Sequence, residues 1–88
     1  MYYIVAYDIT SPKRLPKVLK LCRRYLNWVQ NSVFEGELTT AQFDRLKKEM
    51  QSMVDKKEDS VIYYCARTPE VVERGILGVE KNEITNFI

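Results

Sequence analysis

The sequence predicts an α+β sandwich in which two helices cover one face of a four-stranded sheet. Three observations predict it. Apolar, strand-like segments alternate with two amphipathic helical segments in the order strand, helix, strand pair, helix, strand. The chain has 88 residues, enough for one domain (1–88) with one core. Its composition, 45% hydrophobic and 30% charged, is that of a globular protein rather than a disordered one.

The first element is Met1 to Tyr7, apolar and rich in aromatic and β-branched residues, which reads as a buried central strand ending at Asp8. Thr10, Ser11 and Pro12 then signal a helix start, with Ser11 as N-cap and Pro12 at the first helical position. Pro16 allows a slightly later start instead. Leu15, Val18, Leu19, Cys22, Tyr25 and Leu26 recur at helical spacing as one apolar stripe. Lys13, Lys17, Lys20 and Arg24 fall on another face and form a basic stripe.

Trp28 to Leu38 reads either as one strand or as a short hairpin turning near Asn31 and Ser32, with Gly36 suggesting a bulge or kink. The second helix is well marked. Thr39 with Gln42 makes a capping box, and Leu38 with Phe43 a hydrophobic staple. Phe43, Leu46, Met50, Met53 and Val54 supply its apolar stripe. Asp55 to Asp59 is a charged loop, and Val61 to Ala66 another apolar strand. Gly75 to Val79 reads as a short strand and Glu83 to Ile88 as a last one, in a tail over 80–88 whose apolar end adds to a sheet, either its own or a partner's. This order is that of the ferredoxin-like split βαβ fold, βαββαβ with an extra C-terminal strand. The uncovered sheet face argues for dimerisation.

Composition also limits the chemistry. There is no histidine, which excludes a Ser-His-Asp triad, a histidine general base and a histidine-bound zinc. Cys22 and Cys65 each sit in an apolar segment and read as buried, reduced thiols. No segment approaches the roughly 20 apolar residues of a membrane helix, and no basic leader precedes the first strand. The expectation is a cytoplasmic protein without a membrane partner. The net charge of +2 conceals an asymmetry: from Met1 to Phe34 the only acid is Asp8, against six lysines and arginines. Such a block reads either as a polyanion site or as a solvated helix face.

Asp8 closes the first strand between Tyr7 and Ile9, Lys13 and Arg14 open the helix, and the run Val29 to Leu38 reads VQNSVFEGEL. In these residues the chain resembles the CRISPR-associated endoribonuclease family, the smaller of the two proteins common to CRISPR spacer acquisition. The resemblance covers nearly the whole chain. It implies a ferredoxin-like homodimer with the two sheets facing each other and the tail over 80–88 pairing with the partner subunit, metal-dependent hydrolysis of phosphodiester bonds in single-stranded RNA or double-stranded DNA, and a part in antiviral defence. It implies Asp8 as the catalytic and metal-binding carboxylate, with Mg²⁺ as the ion, and two Asp8 side chains meeting near a two-fold axis. By residue type, Asp8 reads either as a ligand for a hard cation or as the start of the turn into the helix. The resemblance further implies nucleic-acid binding by Tyr7, Lys13, Arg14, Lys17, Ser32 and Phe34. Ser32 reads either as a phosphate contact or as bonded to its own backbone, and Phe34 either as a stacking surface or as a core residue. Trp28 stands where many relatives carry a basic residue, which puts a phosphate contact there in doubt.

The alternative is a non-catalytic DNA-binding dimer that acts as a scaffold for the CRISPR integrase, which needs the basic stripe and not Asp8. A small-molecule regulatory module would give that stripe no purpose. A single-strand RNA-recognition module would need exposed aromatics, for which Tyr2, Tyr63 and Tyr64 are candidates, but the usual basic-Gly-aromatic run is missing.

Overall fold

The computed structural model describes residues 1–82. The elements are β1 (Tyr2–Asp8), α1 (Leu15–Tyr25), β2 (Asn27–Gln30), β3 (Val33–Glu37), α2 (Thr40–Met53) and β4 (Ser60–Ala66), followed by a 3-10 turn at Pro69–Val71. The strands form one antiparallel sheet in the order β2-β3-β1-β4. This is the ferredoxin-like arrangement expected from the element order, with β1 and β3 central.

Residue pairing decides which face each side chain takes. Tyr3 lies opposite Gly36 and Cys65, and Val5 opposite Phe34 and Tyr63. Because side chains alternate along a strand, these residues share one face and Tyr2, Ile4, Ala6 and Asp8 the other. The helices cover the first. There Tyr3, Val5, Tyr7 and Phe34 meet Val18, Leu21, Cys22 and Leu26 of α1 and Phe43, Leu46 and Met50 of α2. Tyr3 stacks on Phe43 with ring centroids 3.9 Å apart.

The local signals hold with adjustments. Helix α1 takes the later start that Pro16 allows: Ser11 caps a preceding turn, its carbonyl accepting from the N–H groups of Arg14 and Leu15. The Trp28–Leu38 segment is a hairpin, and its turn residue Asn31 sits at φ 42°, a conformation Asn tolerates. Gly36 is regularly paired rather than bulged, and the register irregularity falls between Trp28 and Gln30. A Cβ at Gly36 would stand 3.2 Å from Leu26 Cδ2, so glycine lets the end of α1 close over β3. The capping box forms with Thr39 Oγ1 accepting from Gln42 N at 3.1 Å and Thr39 N donating to Gln42 Oε1 at 2.9 Å.

Two expectations are corrected. Cys22 is buried, but Cys65 is exposed, because β4 is the outermost strand and the helix-covered face runs out there. Gly75 to Val79 forms no strand; Leu77 and Val79 are exposed. Residues 72–82 instead lie irregularly along the β2–β3 half of the sheet, where Arg74 pairs with Glu35 at 3.4 Å and Asn82 donates to the Trp28 carbonyl. The expected strand Glu83 to Ile88 lies outside the described residues. Among the described residues no helix or strand covers the β1–β4 half of the other face, where Ile62 is 52% and Tyr64 63% exposed.

Candidate nucleic-acid interface

Asp8 is the last residue of β1 and pairs with Ser60 of β4. Its side chain is exposed and points to the helix-free face, two residues beyond Ala6. Among the described residues no cation or side-chain donor is bonded to it. The β2–β3 turn arrives beside it, since the Tyr7 N–H donates to the Ser32 carbonyl at 3.1 Å. Strand pairing thus gathers Tyr7, Asp8 and Ser32 at one end of the sheet.

The other expected site residues take different positions. Tyr7 is 7% exposed and faces the helices, its ring 6.2 Å from that of Phe34. Burial pushes the pKa of the Tyr7 hydroxyl above its usual range, against a smaller opposing effect of its hydrogen bond with Ser32. Phe34 has no exposed surface, so of the two readings the sequence leaves open, stacking surface or core residue, its position is that of a core residue. Lys13 and Lys17 are exposed, and among the described residues no carboxylate pairs with either. Lys17 lines an open groove of about 460 Å³ with Lys20, Leu21, Arg24 and Met53, between the helices. The basic stripe therefore exists as a surface. Arg24 is partly neutralised there by Glu49 at 3.0 Å.

Arg14 differs from its neighbours. Its guanidinium is held by Asp59 and Glu58, the former through Nε at 2.8 Å and Nη2 at 3.1 Å. Asp59 lies in a loop that the sequence shows only as charged. Its carboxylate also accepts from the N–H of Thr10 at 3.0 Å and of Asp55 at 2.8 Å. No sequence signal marks Asp59, because of its partners only Asp55 is near in sequence, while Thr10 is 49 positions away and Arg14 45.

Among the described residues no three Cys, Asp or Glu side chains gather closely enough to hold a metal ion. Asp8 supplies one exposed carboxylate per chain, a hard oxygen donor. It fits an ion such as Mg²⁺, which takes one or two carboxylates and fills its remaining positions with water. A cavity of about 230 Å³ between the β2–β3 hairpin and residues 74–82 is lined by none of these site residues. No helix of the described residues is long and apolar enough to cross a membrane.

Comparison with known proteins gives consistent matches. The family model for CRISPR associated protein Cas2 matches residues 1–72. A Dictyoglomus turgidum protein named CRISPR-associated endoribonuclease Cas2 is 51% identical over 83 residues, 94% of each chain. A Thermotoga maritima protein of the same name is 48% identical, again over 94% of each chain. Among solved structures, a crystal structure of a Cas2 protein superposes with a TM-score of 0.86 at 38% identity, covering 96% of this chain and 93% of the other.

Proposed function

This chain belongs to the CRISPR-associated Cas2 family, and from that premise we propose that it is a Mg²⁺-dependent endonuclease acting in spacer acquisition. Relatives matching nearly the whole chain bear the endoribonuclease name, which supports phosphodiester hydrolysis with single-stranded RNA as the first substrate to consider and double-stranded DNA as the second. The observation that carries the reading is Asp8: an exposed carboxylate at a strand end, with no bonded partner among the described residues, on the sheet face that no helix covers.

On that face Ile62 and Tyr64 present apolar surface beside Asp8's strand, which supports a homodimer with facing sheets. Two Asp8 carboxylates related by a two-fold axis would together hold the ion. When bound, Mg²⁺ supplies charge stabilisation at the phosphate and lowers the pKa of a coordinated water. Lys13 and Lys17 bind the nucleic-acid backbone by charge, without sequence preference. With no histidine in the chain and one carboxylate per subunit, no side chain serves as an obvious general base, and slow turnover is expected.

The groove of Lys17, Lys20 and Arg24 favours a second reading, a dimeric DNA-binding scaffold for the CRISPR integrase, which needs the cations and not Asp8. Cleavage of labelled single-stranded RNA and double-stranded DNA by wild type and Asp8→Asn, with Mg²⁺ or chelator, separates the two. Cutting that requires both Mg²⁺ and Asp8 supports the nuclease. Cutting that survives in the variant, or none at all, removes it and leaves the scaffold.

A further inference from the structure

We propose that Arg14 and Asp59 form a clamp that positions Asp8, and that Arg14 serves this clamp instead of gripping phosphate. The catalytic half of this inference rests on the Asp8 reading above.

The Asp59 carboxylate is saturated. Oδ1 accepts from Thr10 N at 3.0 Å, Thr10 Oγ1 at 3.3 Å and Arg14 Nη2 at 3.1 Å, and Oδ2 from Arg14 Nε and Asp55 N, both at 2.8 Å. A carboxylate offers about four lone-pair sites, so no capacity is left. Its side chain has no exposed surface, while that of Arg14 is 26% exposed. Arg14 Nη2 also donates to Glu58 at 3.0 Å.

The position of the clamp gives it meaning. Asp59 directly precedes Ser60, the cross-strand partner of Asp8, and Thr10 lies two residues beyond Asp8. The clamp therefore fixes the chain on both sides of the Asp8–Ser60 pair, where β1 leaves the sheet. A ligand shared across a two-fold axis must be placed closely, because small displacements of a catalytic group cost large factors in rate. For Arg14 to reach a phosphate it would have to give up two charge-assisted hydrogen bonds to Asp59, whose side chain has no exposed surface, and a third to Glu58. Lys13 and Lys17 face no such obstacle.

The test uses the full chain and the variants Arg14→Gln, Arg14→Lys, Asp59→Asn and Lys17→Gln. Affinity for single-stranded RNA is measured in chelator across a salt series. Lys17→Gln should weaken binding and lower the salt slope by about one, while Arg14→Gln stays within about twofold of wild type with an unchanged slope. With Mg²⁺, both Arg14 variants and Asp59→Asn should each lose about tenfold in kcat at unchanged KM. Lysine should not rescue, since an ammonium cannot bridge both oxygens as a guanidinium fork does. In wild type the Thr10 amide should exchange slowly with solvent, which tests the clamp even where Asp59→Asn does not fold. The proposal is overturned if Arg14→Gln weakens binding and lowers the slope as Lys17→Gln does with Arg14→Lys restoring both, or if the Thr10 amide exchanges freely. A wild type that binds RNA but never cuts would sink the nuclease reading, while the salt series and the Thr10 amide still decide the clamp.

Discussion

Arg14 grips Asp59 through two nitrogens, Nε at 2.8 Å and Nη2 at 3.1 Å, and so ties the start of the first helical segment to the loop before β4. The Arg14 guanidinium, helped by the Asp55 and Thr10 amides, holds the Asp59 carboxyl well below the usual carboxylate range. A carboxyl whose pKa falls on folding contributes stability that is complete above its unfolded value, near 4, and is lost as pH drops through the lower folded value. Wild type should therefore lose stability in acid faster than Asp59→Asn, and the gap between them should narrow as pH falls below about 4. Urea midpoints measured from pH 7 down to pH 2.5 check this; a constant gap would mean that Asp59 contributes no charge-dependent stability.

Phe34 separates packing from binding. With no exposed surface, its ring fills the core between the sheet and the helices. Phe34→Ala should cost about 3–5 kcal/mol, enough to unfold a marginal 88-residue domain. Phe34→Leu keeps most of the volume and should cost on the order of 1 kcal/mol. The folded leucine variant should bind RNA as wild type does. A tenfold loss of affinity at unchanged melting temperature would show that the ring reaches the ligand after all.

Much of the fold was legible because local chemistry and global topology agree. The capping box of Thr39 and Gln42 states one local conformation, and the structure adopts it; Trp28 to Leu38 leaves a strand and a hairpin open, and the structure takes the hairpin, turning at Asn31. What the sequence did not show is which face each strand residue takes. Met1 to Tyr7 is apolar throughout, so alternation is invisible, and only pairing reveals that Tyr7 turns inward while Asp8 turns to the open face. The same blindness left Phe34 open between a core and a stacking position, and Cys65 is exposed for a different reason, its place on the outermost strand. Asp59 escaped notice because a charged loop looks alike whether its carboxylates face water or a distant arginine. Gly75 to Val79 has a strand's composition but no neighbouring strand to pair with among the described residues.

The second helix offers a local test. Thr39 and Gln42 each satisfy the other's backbone N–H, so removing either hydrogen-bonding side chain frees a donor at the start of α2. Thr39→Ala should cost about 1 kcal/mol. Because both belong to one motif, Gln42→Ala added to Thr39→Ala should cost less than the sum of the single changes. Chemical denaturation of the two single variants and the double variant measures the coupling, and strict additivity would mean that the box is not formed in solution.

The open half of the sheet gives the last prediction. Ile62 and Tyr64 project from β4 on the side of Ile4, Ala6 and Asp8, with no helix above them. Apolar surface so placed favours a second copy, and the same approach would bring two Asp8 carboxylates together. Wild type should sediment as a dimer at micromolar concentration, with a melting temperature that rises with protein concentration. Tyr64→Glu puts a charge into the apposed surfaces and should weaken self-association by at least about tenfold, or 1.4 kcal/mol. Since Tyr64 is exposed in the single chain, the variant should fold as well as wild type when both are monomeric. If cleavage needs two Asp8 side chains, its loss in Tyr64→Glu should follow the loss of dimer and be recovered at high protein concentration. A wild type that stays monomeric, or a monomeric variant that cuts at full rate, would assign the site to one chain alone.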